Sequence, residues 1–548
     1  MPSLDDNGPL LSIAGHDPTG GAGLTTDLAG WQAMGWKGAS VCTALTAQNA
    51  QGVQQVVPTH PALVRAALGA LCAELDPVAV KVGMLGDVAV AAEVAAFCGA
   101  FERGPVVWDP VLGASAGGAA LTAADANALR DMARTATVIT PNRVEAAALL
   151  GLPAWGDLGP IPQAWLQAMR ELWLRDGRTQ AVVLKGGHAL GAHSVDWLVT
   201  RDGANPLVVP RLTHGAHGTG CLHAATLAAM LAAGWSVADA AVEAQWRTHA
   251  GIAQAWTRQG GRPMVNASAS LDSSSFPARP FWRAAAADLA HSAPDFAGWQ
   301  PRAGTPAAEA KGMLQSAALG LSEPEESTTP VVESFAPLAA ALGFYPIVPD
   351  VDWALRLLDW GVQTLQLRIK DLRGAALETA IARVSSAAHQ AGAQLFVNDH
   401  WRQALAVGAY GVHLGQEDLL GADLARLCAA GLRLGVSTHT PGELARAHAV
   451  QPSYVALGPV FPTTLKVMPY RPLGLERLRD WAARCKPRYP VVAIGGIGLV
   501  QAPAVMACGA DGYAVVSAVT QAADPRAAVS RGLAIANQAL DCRNAARA

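Results

Sequence analysis

The stretch His214-Gly215-Ala216-His217-Gly218-Thr219-Gly220-Cys221 runs without a break into an apolar segment, residues 222–233. Two glycines flank a threonine and a helical pattern follows at once, so residues 218–221 present backbone N–H groups at a helix N-terminus. Such a turn is an anion hole when a ligand meets it and an ordinary glycine turn when none does. What arrives beside it decides between the two.

Outward from this turn, from residue 10 to about residue 256, short apolar runs alternate with longer alanine-rich helical patterns. That alternation predicts a mostly parallel sheet covered by helices. Candidate strands are 10–14, 79–82, 106–108, 137–140 and 181–184, each followed by a loop rich in Gly, Pro, Asp or Asn. In open α/β sheets ligands sit beyond the carboxyl ends of the strands, so these loops share one crevice. Serine, proline and alanine then dominate residues 263–342, where strand signals are absent. This segment reads as a connector, with 280–290 and 306–319 as candidate helices. Past it, strand-like runs recur at 344–348, 364–368, 394–398, 411–414, 433–436, 454–457, 491–494 and 512–516. Eight β/α units in about 200 residues predict a (β/α)8 TIM barrel with its chemistry at the carboxyl strand ends. The expected division is 1–262, 263–342 and 343–548.

The chain has 548 residues, of which 51% are hydrophobic and 15% charged, so large cores are available and wholesale disorder is excluded. A net charge of −3 gives no general electrostatic case for nucleic acid or an anionic membrane. The eight cysteines form no C-x-x-C pair and no Cys/His zinc spacing. No apolar run reaches the roughly 20 residues a bilayer demands, and the first residues lack the order of a signal peptide. The expectation is a cytoplasmic enzyme of small molecules; oligomeric state stays open.

In the first half, Gly15 opens the glycine-rich turn Ala14-Gly15-His16-Asp17-Pro18-Thr19-Gly20-Gly21-Ala22-Gly23, and Asp27 lies one turn into the helix after it. A carboxylate there can accept hydrogen bonds from an amino-substituted ring. Gln48 and Met84 are candidates for an amide and an apolar wall. Asp109 and Glu145 follow strands and are oxygen donors of the kind Mg²⁺ takes beside phosphates. Asn142 with Glu145 three residues later is also a helix capping box, and both readings hold together. Lys185 follows the 181–184 strand and can neutralise a transferring phosphoryl group. Taken together these segments resemble the ribokinase-like superfamily, and closely the hydroxymethylpyrimidine/phosphomethylpyrimidine kinases. The resemblance implies a three-layer α/β/α domain in which Gly15, Asp27, Gln48 and Met84 hold the aminopyrimidine. It implies that Lys185 and the 218–221 turn, Gly218 and Gly220 above all, hold the phosphates of ATP, and that Asp109, Asn142 and Glu145 surround Mg²⁺. Where sugar kinases of the superfamily carry an aspartate base, this chain has Cys221. A thiol at a helix N-terminus can have a lowered pKa, so Cys221 either takes the substrate proton or polarises the hydroxyl.

In the second half, Gln366, Arg368 and Lys370 alternate along one strand end and can grip a diphosphate. Asn398-Asp399-His400 and Gly415-Gln416-Glu417-Asp418 follow the next two strands, and their acids beside a basic anion site make most sense with a divalent metal between. Ser437, Thr463 and Gly496 lie in the next three strand-end loops, and Ser517 follows the last strand. This constellation resembles thiamine-phosphate synthase. The resemblance assigns Gln366, Arg368, Lys370, Asn398 and Lys466 to the pyrophosphate or pyrimidine, Asp399 and Asp418 to Mg²⁺, Ser437 to the pyrimidine region, and Thr463, Gly496 and Ser517 to the thiazole phosphate or its neighbourhood. Leu465 stands where many family members have a second threonine. One half's product is then the other half's substrate, which implies a bifunctional enzyme of thiamine biosynthesis. Pyridoxal kinase activity in the first half, or a ligand-binding protein with one inactive half, are the alternatives.

Overall fold

The computed structural model describes residues 8–49, 52–113, 122–123, 126–153, 155, 161–175, 178–187, 193–257, 261–271, 334–463, 472–486 and 488–547. The chain divides into two compact units. Among the described residues no helix is long and apolar enough to cross a membrane.

The first unit contains strands β1 (Leu10–His16), β2 (Gly38–Asn49), β3 (Gly52–Pro58), β4 (Ala79–Val82), β5 (Gly86–Asp87), β6 (Val106–Trp108), β7 (Thr122–Ala123), β8 (Val138–Ile139), β9 (Ala181–Leu184), β10 (His193–Thr200) and β11 (Ala204–Pro210). Nine of them form one sheet in the order β11-β10-β9-β8-β6-β4-β1-β2-β3, and β5 pairs with β7 separately. The central strands are parallel and wholly buried, which is why Ala-Val-Lys-Val and Ala-Val-Val-Leu read as continuous rather than alternating runs. Its helices are α1 (Gly23–Ala33), α2 (Pro61–Leu75), α3 (Val88–Ala100), α4 (Ala126–Thr135), α5 (Arg143–Leu150), α6 (Gln163–Met169), α7 (Thr219–Ala232) and α8 (Val237–Ala253). They pack in two groups, α1 with α7 and α8, and α2 through α6 in succession. Leu11, Ile13, Val80 and Val82 join the core shared with the second group, so the intervening Ser12 and Lys81 face the first.

The predicted strands are all present, but the sheet is larger than its sequence pattern. The β2–β3 and β10–β11 hairpins pair antiparallel at its two ends. Both are only partly buried and carry small and polar residues, so neither shows the apolar run that marked the centre.

The second unit is a closed barrel, β12 (Gly343–Val348), β13 (Thr364–Leu367), β14 (Gln394–Asn398), β15 (Gly411–Leu414), β16 (Arg433–Thr438), β17 (Tyr454–Leu457), β18 (Val491–Ala493) and β19 (Gly512–Val515), every neighbour parallel. Its interior is aromatic: Tyr345, Phe396 and Tyr454 lie 5.0–6.1 Å apart between ring centroids. Gly435 makes room for them, because a Cβ there would sit 2.1 Å from the Tyr454 ring. The eight-stranded barrel expected from periodicity is therefore what forms, with strand ends within two residues of the expected positions.

The described residues flanking the connector pack onto the units. Met264 and Val265 lie against the first, where His217 donates and accepts backbone bonds with this segment. Phe335 and Leu342 are buried in the second. The connector expected over 263–342 narrows from both ends, and 272–333, with both of its candidate helices, lies outside the described residues.

Candidate active sites

The capping box expected at Asn142 is complete: Asn142 Oδ1 accepts from the Glu145 amide at 2.9 Å, and Glu145 Oε2 accepts from the Asn142 amide at 2.7 Å. This turn bonds on to β9, with the Lys185 amide donating to Pro141 at 2.8 Å. Lys185 Nζ lies 2.5 Å from Asp109 Oδ1, which also accepts from Thr140. Above them α7 begins. Its N-cap Gly218 has φ +85°, and a Cβ there would fall 1.9 Å from the Gly21 carbonyl, so only glycine fits. Gly220 is under a milder constraint: a Cβ there would sit 3.1 Å from Lys185 Nζ and 3.3 Å from Asp109 Oδ2, so a side chain would crowd the lysine and its acid.

One pocket is lined by Gly15, Gln48, Met84, Asp109, Asn142, Glu145, Lys185, Gly218, Gly220 and Cys221. Those ten expected residues, drawn from seven separate strand ends and turns, do converge. Asp27 does not join them. It is fully buried and bonds Ser12 Oγ at 2.6 Å and Lys81 Nζ at 2.8 Å, and Lys81, not Asp27, lines the pocket. The reason is β4: alternation turns Lys81 inward toward α1, between the acid and the cavity. Sequence reading missed Lys81, because a lysine inside an apolar strand gives no periodic signal. It also passed over the Asp17–His217 pair, 2.9 Å apart at the same pocket, which ties the first glycine turn to the α7 turn.

Electrostatics correct a second expectation. Cys221 is the third residue of α7 and its Sγ accepts from the Gly23 amide at 3.3 Å. Burial pushes its thiol up to about 11; Lys81 pulls it down, but Asp27 and Asp109 oppose that. The positive helix end does not prevail, so the thiol stays protonated here. Burial lowers Lys185, yet Asp109 and Glu145 raise it further, and it stays charged above the usual lysine range. Burial also pushes Asp109 up, while Lys185 and Lys81 hold it below the usual carboxylate range.

Glu145 goes the other way. Burial raises it, Lys185 pulls it down, Asp109 pushes it up again, and it reaches about 7 against an ordinary 4.5. Between those two pH values the folded state binds more protons than the unfolded chain, so stability falls as pH rises through that window. The expected loss is about 3 kcal/mol in the metal-free protein. Denaturant midpoints at pH 5 and pH 8 check it: Glu145→Gln should flatten the difference seen in the parent chain, and an unchanged slope rules this account out.

In the barrel, Gln366 is buried in β13, and Arg368 follows that strand with its amide donating to Val348 at 2.8 Å. Arg368 is half-buried and Lys370 exposed. Asn398 ends β14, and Asp399 after it has φ +61°, a left-handed conformation uncommon outside glycine; its amide donates to His413 O at 3.0 Å. Asp418 lies in the first turn of the helix Gln416–Gly421 after β15, so the two acids follow adjacent strands. Ser437 lies near the carboxyl end of β16, Thr463 after β17, Gly496 after β18 and Ser517 at the start of the helix following β19. Gly496 has φ +66° and meets Pro462 O 2.5 Å from its Cβ position, which seats the two loops directly on each other. Lys466 and Leu465 lie outside the described residues. Among the described residues no group of three His, Cys, Asp or Glu side chains could by itself hold a metal. Sequence reading missed His413, whose ring bonds Ser437 Oγ at 2.8 Å.

A family model for phosphomethylpyrimidine kinase matches residues 17–266, and one for thiamine monophosphate synthase matches residues 345–519. The thiamine-phosphate synthase of Neisseria meningitidis serogroup A is 53% identical over 196 residues, 36% of this chain and 95% of that protein. An Escherichia coli thiamine-phosphate synthase is 54% identical over 202 residues, 37% of this chain and 95% of that protein. Among solved structures, the phosphomethylpyrimidine kinase of Clostridium difficile is 28% identical and covers 43% of this chain and 95% of its own, with a TM-score of 0.36. The pyridoxal kinase of Staphylococcus aureus in complex with pyridoxal is 26% identical, with 48% and 94% covered and a TM-score of 0.43. The chain belongs to the thiamine-phosphate synthase family through its second unit, fused behind a phosphomethylpyrimidine kinase domain, and is a bifunctional enzyme of thiamine biosynthesis.

Proposed function

We propose that the first domain uses ATP to phosphorylate hydroxymethylpyrimidine and then its monophosphate, and that the second couples the resulting diphosphate to a thiazole phosphate, releasing pyrophosphate. The observation that carries the first step is the meeting of Lys185, Asp109, Glu145 and Cys221 with Gln48 and Met84 in one pocket. Gln48 and Met84 hold the ring beside Gly15, whose Cβ position lies 2.2 Å from the Met84 methyl. The amides opening α7 and the Lys185 ammonium face the phosphoryl group as its charge shifts from ATP to the acceptor oxygen. Cys221, protonated in the free site, polarises the substrate hydroxyl by hydrogen bonding and becomes its base only when bound cationic charge lowers the thiol.

Mg²⁺ fits the donors present. Asp109, Asn142 and Glu145 offer oxygen; burial first and then the Asp109 charge raise Glu145, and a divalent cation would offset both by favouring the carboxylate. When bound there, Mg²⁺ would supply charge neutralisation at the phosphates. In the barrel, Asp399 and Asp418 are the matching oxygen donors. Arg368, Lys370 and Lys466 then gather the departing pyrophosphate, Gln366, Asn398 and Ser437 hold the pyrimidine, and Thr463, Gly496 and Ser517 take the thiazole phosphate. Such a leaving group needs this concentration of positive charge, because bond breaking precedes attack by the thiazole nitrogen.

The test is the purified full chain given hydroxymethylpyrimidine, ATP, Mg²⁺ and thiazole phosphate. Thiamine phosphate and pyrophosphate are the expected products; none from that mixture, or faster ATP turnover on pyridoxal than on hydroxymethylpyrimidine, would overturn the assignment.

A further inference from the structure

Five side chains form an unbroken polar line inside the barrel. Gln366 Nε2 lies 3.3 Å from the Tyr345 hydroxyl, which lies 2.8 Å from the Tyr454 hydroxyl. The Tyr454 hydroxyl lies 2.7 Å from His413 Nδ1, and His413 Nε2 lies 2.8 Å from Ser437 Oγ. The residues come from β13, β12, β17, β15 and β16, so the line crosses the barrel interior and ends at Ser437, near the carboxyl end of β16. Four of the five are at most 5% exposed, which leaves the inner bonds without competition from bulk water. The two ends are the residues placed on the pyrimidine above.

With Gln366 Nε2 facing Tyr345, the proton inventory sets the direction of this line. An amide nitrogen only donates, so Gln366 gives its hydrogen to the Tyr345 oxygen. Tyr345 has one proton, and Tyr454 is its remaining partner. Tyr454 then gives its proton to His413 Nδ1, which must be bare. A ring whose Nδ1 accepts is neutral and carries its single proton on Nε2. That proton goes to Ser437 Oγ. The serine's own hydrogen is left over, available to an acceptor outside the line. If the Gln366 amide were turned end for end, all four bonds would reverse together, so that Ser437 would donate to His413 Nε2 and could only accept from a group outside the line. These are the two fully satisfied states, and one ring proton distinguishes them.

We propose that His413 is a positioning residue of the synthase: the line from Gln366 through Tyr345 and Tyr454 holds its ring in the Nε2-protonated tautomer. Ser437 is thereby an obligate hydrogen-bond donor, and the site selects a ring that presents an acceptor atom such as an aromatic nitrogen. The substrate part of this inference rests on the pyrimidine placement proposed above; the tautomer does not.

Two measurements separate those parts. In the full chain labelled with ¹⁵N-histidine, the ring signal lost in His413→Gln should be that of the neutral Nε2–H tautomer at pH 7, and an Nδ1–H tautomer or an imidazolium overturns the proposal. The second compares Tyr454→Phe with Tyr345→Phe. Tyr454→Phe removes the group that keeps Nδ1 bare, so the ring should redistribute between tautomers. KM for the pyrimidine diphosphate should then rise about five- to tenfold, the loss of roughly one hydrogen bond. The same rise is expected of Ser437→Ala, with no further rise in the double variant. Tyr345→Phe leaves Tyr454 donating to His413, so the tautomer should persist and KM should rise less. Equal effects from the two phenylalanine variants, as a packing role predicts, or additivity of Tyr454→Phe with Ser437→Ala, overturns the proposal. A chain inactive as a synthase would still report the ring tautomer, so failure of the proposed activity and failure of the line are read apart.

Discussion

Lys185→Ala is expected to lower kinase turnover on hydroxymethylpyrimidine by about 10²–10³-fold, the usual effect of removing one preorganised donor from a developing anion. The size follows from how completely the ammonium is held. Lys185 enters the site from the end of β9, its amide is fixed to Pro141, and its Nζ rests 2.5 Å from Asp109. It remains charged, so it can leave Asp109 for an arriving phosphate without first gaining a proton. Removal also leaves Asp109 and Glu145 facing each other with less positive charge between them, so the acid limb of the pH profile should move up. Lys185→Arg should rescue little, because a planar guanidinium does not reproduce the compact ammonium that lies 2.5 Å from Asp109. Steady-state rates with hydroxymethylpyrimidine and ATP check the effect. The control is thiamine phosphate formation from supplied pyrimidine diphosphate, which should be unchanged. A loss smaller than tenfold removes Lys185 from the phosphoryl-transfer site.

Lys81→Met is expected to cost the first domain about 3–5 kcal/mol, the range for breaking a buried ion pair from one side. Lys81 and Asp27 are both fully buried, and among the described residues Asp27 has only Ser12 as a further partner for the oxygen that Lys81 holds. Its other oxygen, Oδ1, is buried without a partner among the described residues, so the acid depends on the lysine. Replacing both members should restore most of the loss, because methionine with asparagine leaves no charge in that space. Urea unfolding followed by fluorescence of the buried Trp31 and Trp108 measures both variants. A loss below about 1 kcal/mol in the single variant, or no recovery in the double, contradicts the pairing.

The sequence made the centres of both domains legible and hid their margins. Buried parallel strands are covered on two faces, so they appear as uninterrupted apolar runs, and their loops carry the glycines and acids that mark the crevice. The hairpins β2–β3 and β10–β11 face solvent on part of their length, and that mixture erases the signal. Site residues within one motif, such as Asn142 with Glu145 or Gly218 with Cys221, were readable because spacing along the chain equals proximity in space. Partnerships across strands were not. Lys81 reads as an oddity of β4 until Asp27 is seen against it. Tyr345, His413 and Tyr454 each read as ordinary core residues of a barrel, since nothing along the chain links residues so far apart. Cys221 lies at the start of α7 as its motif implies, but its titration is not legible along the chain, because the burial and the two carboxylates that outweigh the helix end come from other elements.

Closure of the second domain has a consequence for how it is made. The strands β12 to β19 pair in sequence order, and the last bond set joins Gly343–Pro346 to Gly512–Val515. During synthesis β12 therefore emerges first among the barrel strands and keeps one side unpaired until almost the whole domain has left the ribosome. A ribosome stalled anywhere between them exposes a strand edge able to pair with another chain. Truncation within β19 should thus convert the domain from folded to aggregating in a single step, while loss of residues from the far end of the final helix should be tolerated.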